Sequence, residues 1–349
     1  MRTSRIGVAV LIGMAAVGVF GSVQVLRSRV RPPSTASSVA MGERHACAVV
    51  SGGAVRCWGA GSFGQLGNGT TQIGSGSEPV RGVVAPTVIA AGDDYTCSVE
   101  GSGAVMCWGL DTVGQLGDGR TDAVSALPST VAIPPARSVA AGLDHACALG
   151  KDRRIRCWGG NEAGQLGTGF ASRRSTPVLA RLAPTNARLV AAGDRNTCAV
   201  SDRATITCWG RGPWATADDA SAVARSRIES GVVSDLDVGG TQVCVTVSDR
   251  SVMCAPLDRP RRVVESGRAR PLVFSAVDGV GADLFAVGER VACAAAGGSL
   301  PACWSAGEST ARIVDRVPLD ELGVGGSSLC GIAVAGHRLH CFPLPRGFR

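Results

Sequence analysis

Lysine is nearly missing from this chain: of 35 basic residues only Lys151 is one, and the histidines number four. A P-loop needs a Gly-Lys-Ser or Gly-Lys-Thr triplet, but the sole lysine stands in Gly150-Lys151-Asp152, so that phosphate cradle is excluded. No Gly-x-Ser-x-Gly string occurs, which removes the nucleophile elbow of the α/β-hydrolases. Aromatic residues make up 4% of the chain, too few for a core built on rings. Charged residues are also sparse, 18% against 45% hydrophobic, which excludes a disordered chain. What is abundant is glycine, 48 residues, and cysteine, 14 residues. The glycines follow no Gly-X-Y period, so they mark turns and not a collagen helix.

No acidic residue appears before Glu43. Within that stretch Ile6 to Leu26 is apolar apart from Ser22 and Gln24, long enough to cross a bilayer as a helix. Arg2 and Arg5 precede it, and Arg27, Arg29 and Arg31 follow it. Residues 1–31 therefore read as a signal peptide or membrane anchor, with membrane contact through 6–26. These five arginines carry most of the formal net charge of +7: the remaining 318 residues hold 30 basic and 28 acidic side chains. The basicity belongs to the amino terminus, and nucleic acid is not an expected partner.

The cysteines form seven pairs: Cys47 and Cys57, Cys97 and Cys107, Cys147 and Cys157, Cys198 and Cys208, Cys244 and Cys254, Cys293 and Cys303, Cys330 and Cys341. Nine residues separate the members of six pairs and ten separate the last. A glycine stands five residues before each pair: Gly42, Gly92, Gly142, Gly193, Gly239, Gly288 and Gly325. Each unit reads as a short strand, a turn at that glycine and a β-hairpin, near 45–58, 95–108, 145–158, 196–209, 242–255, 291–304 and 328–342. A three-residue loop such as Ser51-Gly52-Gly53 sets Cys47 opposite Cys57, close enough for a disulfide. Behind an export segment, seven hairpin disulfides are the coherent reading, against reduced cysteines packed as small apolar residues. Zinc needs four ligands, which this spacing and four histidines do not supply.

Strand material between the hairpins, such as Thr87-Val88-Ile89-Ala90-Ala91, brings each unit to four short strands, one blade of a propeller. Seven units predict an all-β, seven-bladed β-propeller over residues 32–349. The last unit lacks a strand after its hairpin, so residues around Thr35 to Met41 are expected to complete the seventh blade.

Three units also carry Cys-Trp-Gly followed by Gly64-Gln65-Leu66-Gly67, Gly114-Gln115-Leu116-Gly117 or Gly164-Gln165-Leu166-Gly167. These strings, with the Ala-Ala-Gly turn before them, resemble the repeat of the regulator of chromosome condensation family, here in an exported, bacterial-type form with one cysteine pair per repeat. The resemblance implies a seven-bladed propeller. It is strong in the first three units and partial in the fourth; later units lose Gly-Gln-Leu-Gly, and Ala255 and Phe342 replace the tryptophan.

His45 and His145 share a slot filled elsewhere by Tyr95, Asn196 and Gln242, which reads as a hydrogen bond within the blade and not as a general base. Trp58, Trp108, Trp158, Trp209 and Trp304 read as packing between blades. His337 with His340 is two ligands without a third, and Asp93, Asp94, Asp111 and Asp118 read as turn residues, so no metal or cofactor is expected. The patch Arg259-Pro260-Arg261-Arg262 with Arg268 and Arg270 reads as a solvated connection. The expected function is a non-enzymatic, monomeric scaffold outside the cytoplasmic membrane, anchored or secreted. It would bind an unidentified protein through loops such as Thr70 to Glu78, Arg120 to Ser129 and Trp214 to Ser226. The resemblance also implies two other readings, a guanine-nucleotide exchange factor and a secreted inhibitor of an enzyme such as a β-lactamase; a hydrolase in the central channel is a further alternative, since some propellers have that role.

Overall fold

A computed structural model of the chain describes residues 36–121, 123–214, 222–229, 231–257, 272–296, 299–326, 328–333 and 338–345. The segment 1–31 with its apolar run, the arginine patch at 259–270 and His337 lie outside the described residues. Among the described residues no helix is long and apolar enough to cross a membrane.

The first sheet runs in sequence order, β1 (Ala36–Met41), β2 (His45–Val50), β3 (Val55–Gly59) and β4 (Gly74–Pro79), all antiparallel. Five further four-stranded sheets repeat that order, and a seventh has three strands, Leu319–Gly325, Ser328–Ala333 and Leu339–Pro343. The first strands of successive sheets pack side by side, and β1 packs against Leu319–Gly325, which closes a seven-bladed ring. Middle strands such as His45–Val50 and Asn196–Ser201 are buried along their whole length, because both faces lie against neighbouring blades.

Every cysteine pair is a disulfide across its hairpin, with Cα atoms 4.0–4.1 Å apart at directly opposed positions. The loop geometry explains the register. Gly53, Gly103, Arg153, Ala204 and Arg250 occupy one slot of the hairpin turn, and each has φ between 53° and 94°. A left-handed residue at that slot closes a three-residue loop and places the cysteines face to face.

The expected closure is overturned. β1 pairs with β2, joining Ala40 to Cys47 and Val39 to Ala48, so it is the innermost strand of the first blade and not the missing strand of the seventh. The ring closes by packing of faces. The Val39 N–H donates to Glu321 Oε2 at 3.1 Å, and a Cβ on Gly325 would stand 2.3 Å from the Gly42 carbonyl. The register of the sequence already pointed this way, since Ala36–Met41 precedes Gly42 as Pro86–Ala91 precedes Gly92.

Candidate functional site

In the first half of the ring the seams between blades are closed by one repeated set of contacts. Trp108 of the second blade donates from Nε1 to the carbonyl of Gln65 in the first at 2.9 Å; Trp158 does the same to Gln115 at 3.0 Å and Trp209 to Gln165 at 2.9 Å. The last glycine of each motif lies on that indole. A Cβ on Gly67, Gly117 or Gly167 would stand 2.7–2.8 Å from ring atoms, and all three glycines have positive φ. The glutamine side chain holds its own loop, accepting from the N–H of Phe63, Val113 or Ala163 at 2.9 Å. Gly-Gln-Leu-Gly of one blade is therefore the socket for the tryptophan of the next. That offset explains the distribution of both motifs: sockets occur in units one to three and fully partnered tryptophans in units two to four. Trp304 follows a unit without a socket, and its buried Nε1 has no hydrogen-bond partner among the described residues. Trp58 follows the last unit and is only partly buried.

The shared histidine slot also bridges blades, which corrects the expectation of a bond within one blade. His45 Nε2 lies 2.8 Å from Thr96 Oγ1 and His145 Nε2 lies 2.9 Å from Thr197 Oγ1. Each threonine hydroxyl donates onward to the Gln65 or Gln165 carbonyl, so it accepts from the histidine, which is then the neutral Nε2–H form. Burial pushes the two imidazoles down to about 4 and about 3. Arg44 adds a fork to Asp94 of the next blade at 2.9 and 3.1 Å, and Gln65 Nε2 donates to the same carboxylate at 3.0 Å.

The seven marker glycines line one mouth of the ring axis, a cavity of about 420 Å³. A Cβ on Gly42, Gly92, Gly142, Gly193 or Gly239 would stand 1.9–2.6 Å from the carbonyl of the next marker glycine, so only glycine permits seven first strands to meet there. Glu43, Asp93, Asp194 and Glu289 stand beside those glycines, and no lysine, arginine or histidine lines the cavity among the described residues. Burial, a hydrogen bond with Glu43 and repulsion from Asp94 push Asp93 up to about 7. Burial and the nearby Glu289 raise Asp194 as well. Asp93 lies in a turn, as expected, and that same turn sets it at the mouth, which no single repeat reveals. The signal was present in the acids that follow Gly42, Gly92, Gly193 and Gly288.

The anticipated rim loops are partly strand, and residues 215–221 of the third lie outside the described residues. Gly74–Pro79, Ala123–Thr130 and Val223–Arg227 are the outermost strands of their blades, and Trp214 is buried. Asp111 accepts the Leu116 N–H at 3.1 Å and Asp118 the Arg120 N–H at 3.0 Å, so both order turns. His340 pairs with Asp315 at 3.1 Å. Among the described residues no group of three or more His, Cys, Asp or Glu is arranged to hold a metal ion.

Two models of the regulator of chromosome condensation (RCC1) repeat match the chain, one at residues 36–65 and 136–165, the other at 102–149 and 155–200. No curated protein matches the sequence. Solved structures share the fold at low identity. Prp20p from Saccharomyces cerevisiae, described with its binding to Gsp1p and histones, superposes with a TM-score of 0.68 at 18% identity, covering 89% of this chain and 83% of its own. Human WBSCR16 gives 0.67 at 17% identity, covering 83% and 84%. The ectodomain of the Arabidopsis thaliana receptor kinase ACR4 gives 0.53 at 18% identity, covering 90% and 96%.

Proposed function

As a propeller built of regulator of chromosome condensation repeats, this chain serves, we propose, as a non-enzymatic protein-binding scaffold outside the cytoplasmic membrane, working as a single ring. The observation that carries the reading is the rigid, disulfide-stapled ring that gathers four carboxylates at one axial mouth, with no lysine, arginine or histidine among its described lining residues, Arg290 pairing with Glu289 beside it. Such a mouth offers carboxylates to a partner's arginine or lysine side chains, which would also hold the raised Asp93 and Asp194 in their ionised form. A ring of seven bridges is the form a protein takes in an oxidising compartment, which supports an exported location, anchored or secreted through residues 1–31. Prp20p's binding to Gsp1p and histones supports protein recognition by this architecture. At 18% identity it carries no exchange activity to this chain.

The test has two arms. Thiols are alkylated in intact cells before lysis; all fourteen cysteines are expected to stay unlabelled, and labelling of most would overturn the exported location. A tagged chain is then cross-linked in the cell envelope beside the variant Glu43→Gln/Asp93→Asn/Asp194→Asn/Glu289→Gln. A captured protein lost in that variant and released by salt supports the reading. Stimulated nucleotide release from a GTPase would favour the exchange-factor reading instead.

A further inference from the structure

The seven disulfides are not equivalent. Twelve of the fourteen cysteines are at most 3% exposed and Cys254 is partly buried, whereas Cys341 is exposed. The cause is topological. In the six complete blades a fourth strand lies against the strand bearing the second cysteine, pairing Cys107 with Ser129, Cys208 with Ala224 and Cys303 with Arg312. In the seventh blade Leu339–Pro343 is the last strand among the described residues, and Cys341 stands on its open edge. The other end of the bridge reaches the place where the ring closes. Cys330 belongs to an apolar cluster with Val39 and Leu339, against which Met41 and Trp58 pack.

We propose that Cys330–Cys341 is a thiol–disulfide exchange site: an external dithiol opens this bridge while the other six stay closed, and the opening loosens the seam between the first and last blades. In the reaction a thiolate of the dithiol attacks one sulfur of the bridge, forming a mixed disulfide and expelling the other cysteine as thiolate. The second thiol of the reagent then closes on the mixed disulfide, leaves as the oxidised ring and frees the second cysteine. Two electrons pass from dithiol to protein, and water protonates the thiolates. Access to the sulfur governs which bridge reacts, because a thiolate must approach along the S–S axis. Five bridges, with every cysteine at most 3% exposed, meet the reagent only when their blades open, and in the sixth Cys254 is partly buried beneath its fourth strand, where it pairs with Ser275. The site stands on exposure and topology alone and does not depend on the binding role proposed above.

The experiment treats the oxidised full chain with dilute dithiothreitol under native conditions, traps thiols with iodoacetamide and reads each cysteine by peptide mass. Cys330 and Cys341 are expected to label about tenfold faster than any other pair. Hydrogen exchange on the same sample is expected to show the amides of Val39 to Met41 losing protection when this bridge opens. The variant Cys330→Ser/Cys341→Ser should take up no label at that reagent concentration and should show the same loss of protection before any reductant is added. Another pair labelling first, all fourteen cysteines labelling together, or undiminished protection of Val39 to Met41 after opening would each overturn the proposal.

Discussion

At the scale of single residues, the tryptophan sockets separate a hydrogen bond from mere burial. Trp158→Phe keeps most of the ring but strands the buried Gln115 carbonyl, and urea unfolding is expected to register a loss of about 1–3 kcal/mol. Trp304→Phe is expected to cost clearly less, since its Nε1 has no partner among the described residues. Equal losses would show that the socket bond contributes nothing. The buried carboxylate of Asp237 offers a second measurement. It accepts the Val287 N–H at 2.7 Å and the Val238 N–H at 2.8 Å, and burial pushes it up to about 7. An acid raised in the fold costs stability once ionised, so its penalty grows from about pH 4 to about pH 7 and is complete above that. The buried histidines act in the opposite sense: the unfolded chain takes up protons below about pH 6.5 and the fold refuses them until about 4 and 3, so acid erodes their contribution. Asp237→Asn keeps one acceptor for the two N–H donors, a loss present at every pH, so its stability relative to the parent is expected to improve from pH 4 to pH 8, read as melting temperature against pH.

At the scale of the element, the turn between first and second strands is fixed by the marker glycine. Gly142→Ala would place a methyl 2.3 Å from both the Gly193 carbonyl and His145 Cε1, neither of which can withdraw without opening a seam. A loss of about 2–4 kcal/mol is expected. Gly281→Ala is the control, since nothing lies within 4 Å of its added methyl and its φ is not positive; thermal unfolding is expected to move little or upward. The hairpin is the element most legible in the sequence. A nine-residue gap between cysteines, with turn residues at its centre, admits one antiparallel register, because the pleat brings side chains together only at opposed positions. The socket was illegible for the complementary reason. Gln65 and Trp108 lie 43 residues apart in different blades, and no local periodicity joins them. Only the one-unit offset between the two motifs carried the signal.

At the scale of the whole molecule, stability depends on a seam that joins the two ends of the chain. β1 contributes the Val39 bond to Glu321, packs against Leu319–Gly325 and pairs with β2. Deleting residues 36–41 removes the inner strand of the first blade and its contacts with the last. Thermal unfolding is expected to shift down by at least about 10 °C, with the Cys47–Cys57 hairpin becoming accessible to alkylation after mild reduction. A ring that kept its melting temperature would show that the last and second blades hold together without it.

The sequence by itself determined the number of blades, the pairing of all fourteen cysteines and the places of the tight turns, because each follows from contacts within about a dozen residues. Tertiary structure decided how the ring closes, why the marker residue is glycine, which carboxylates meet at the axial mouth and which disulfide is left at an open edge. Those contacts join residues roughly fifty or more positions apart, and closure joins positions 282 residues apart. Local preference cannot specify such neighbours; the geometry of seven sheets meeting on one axis does.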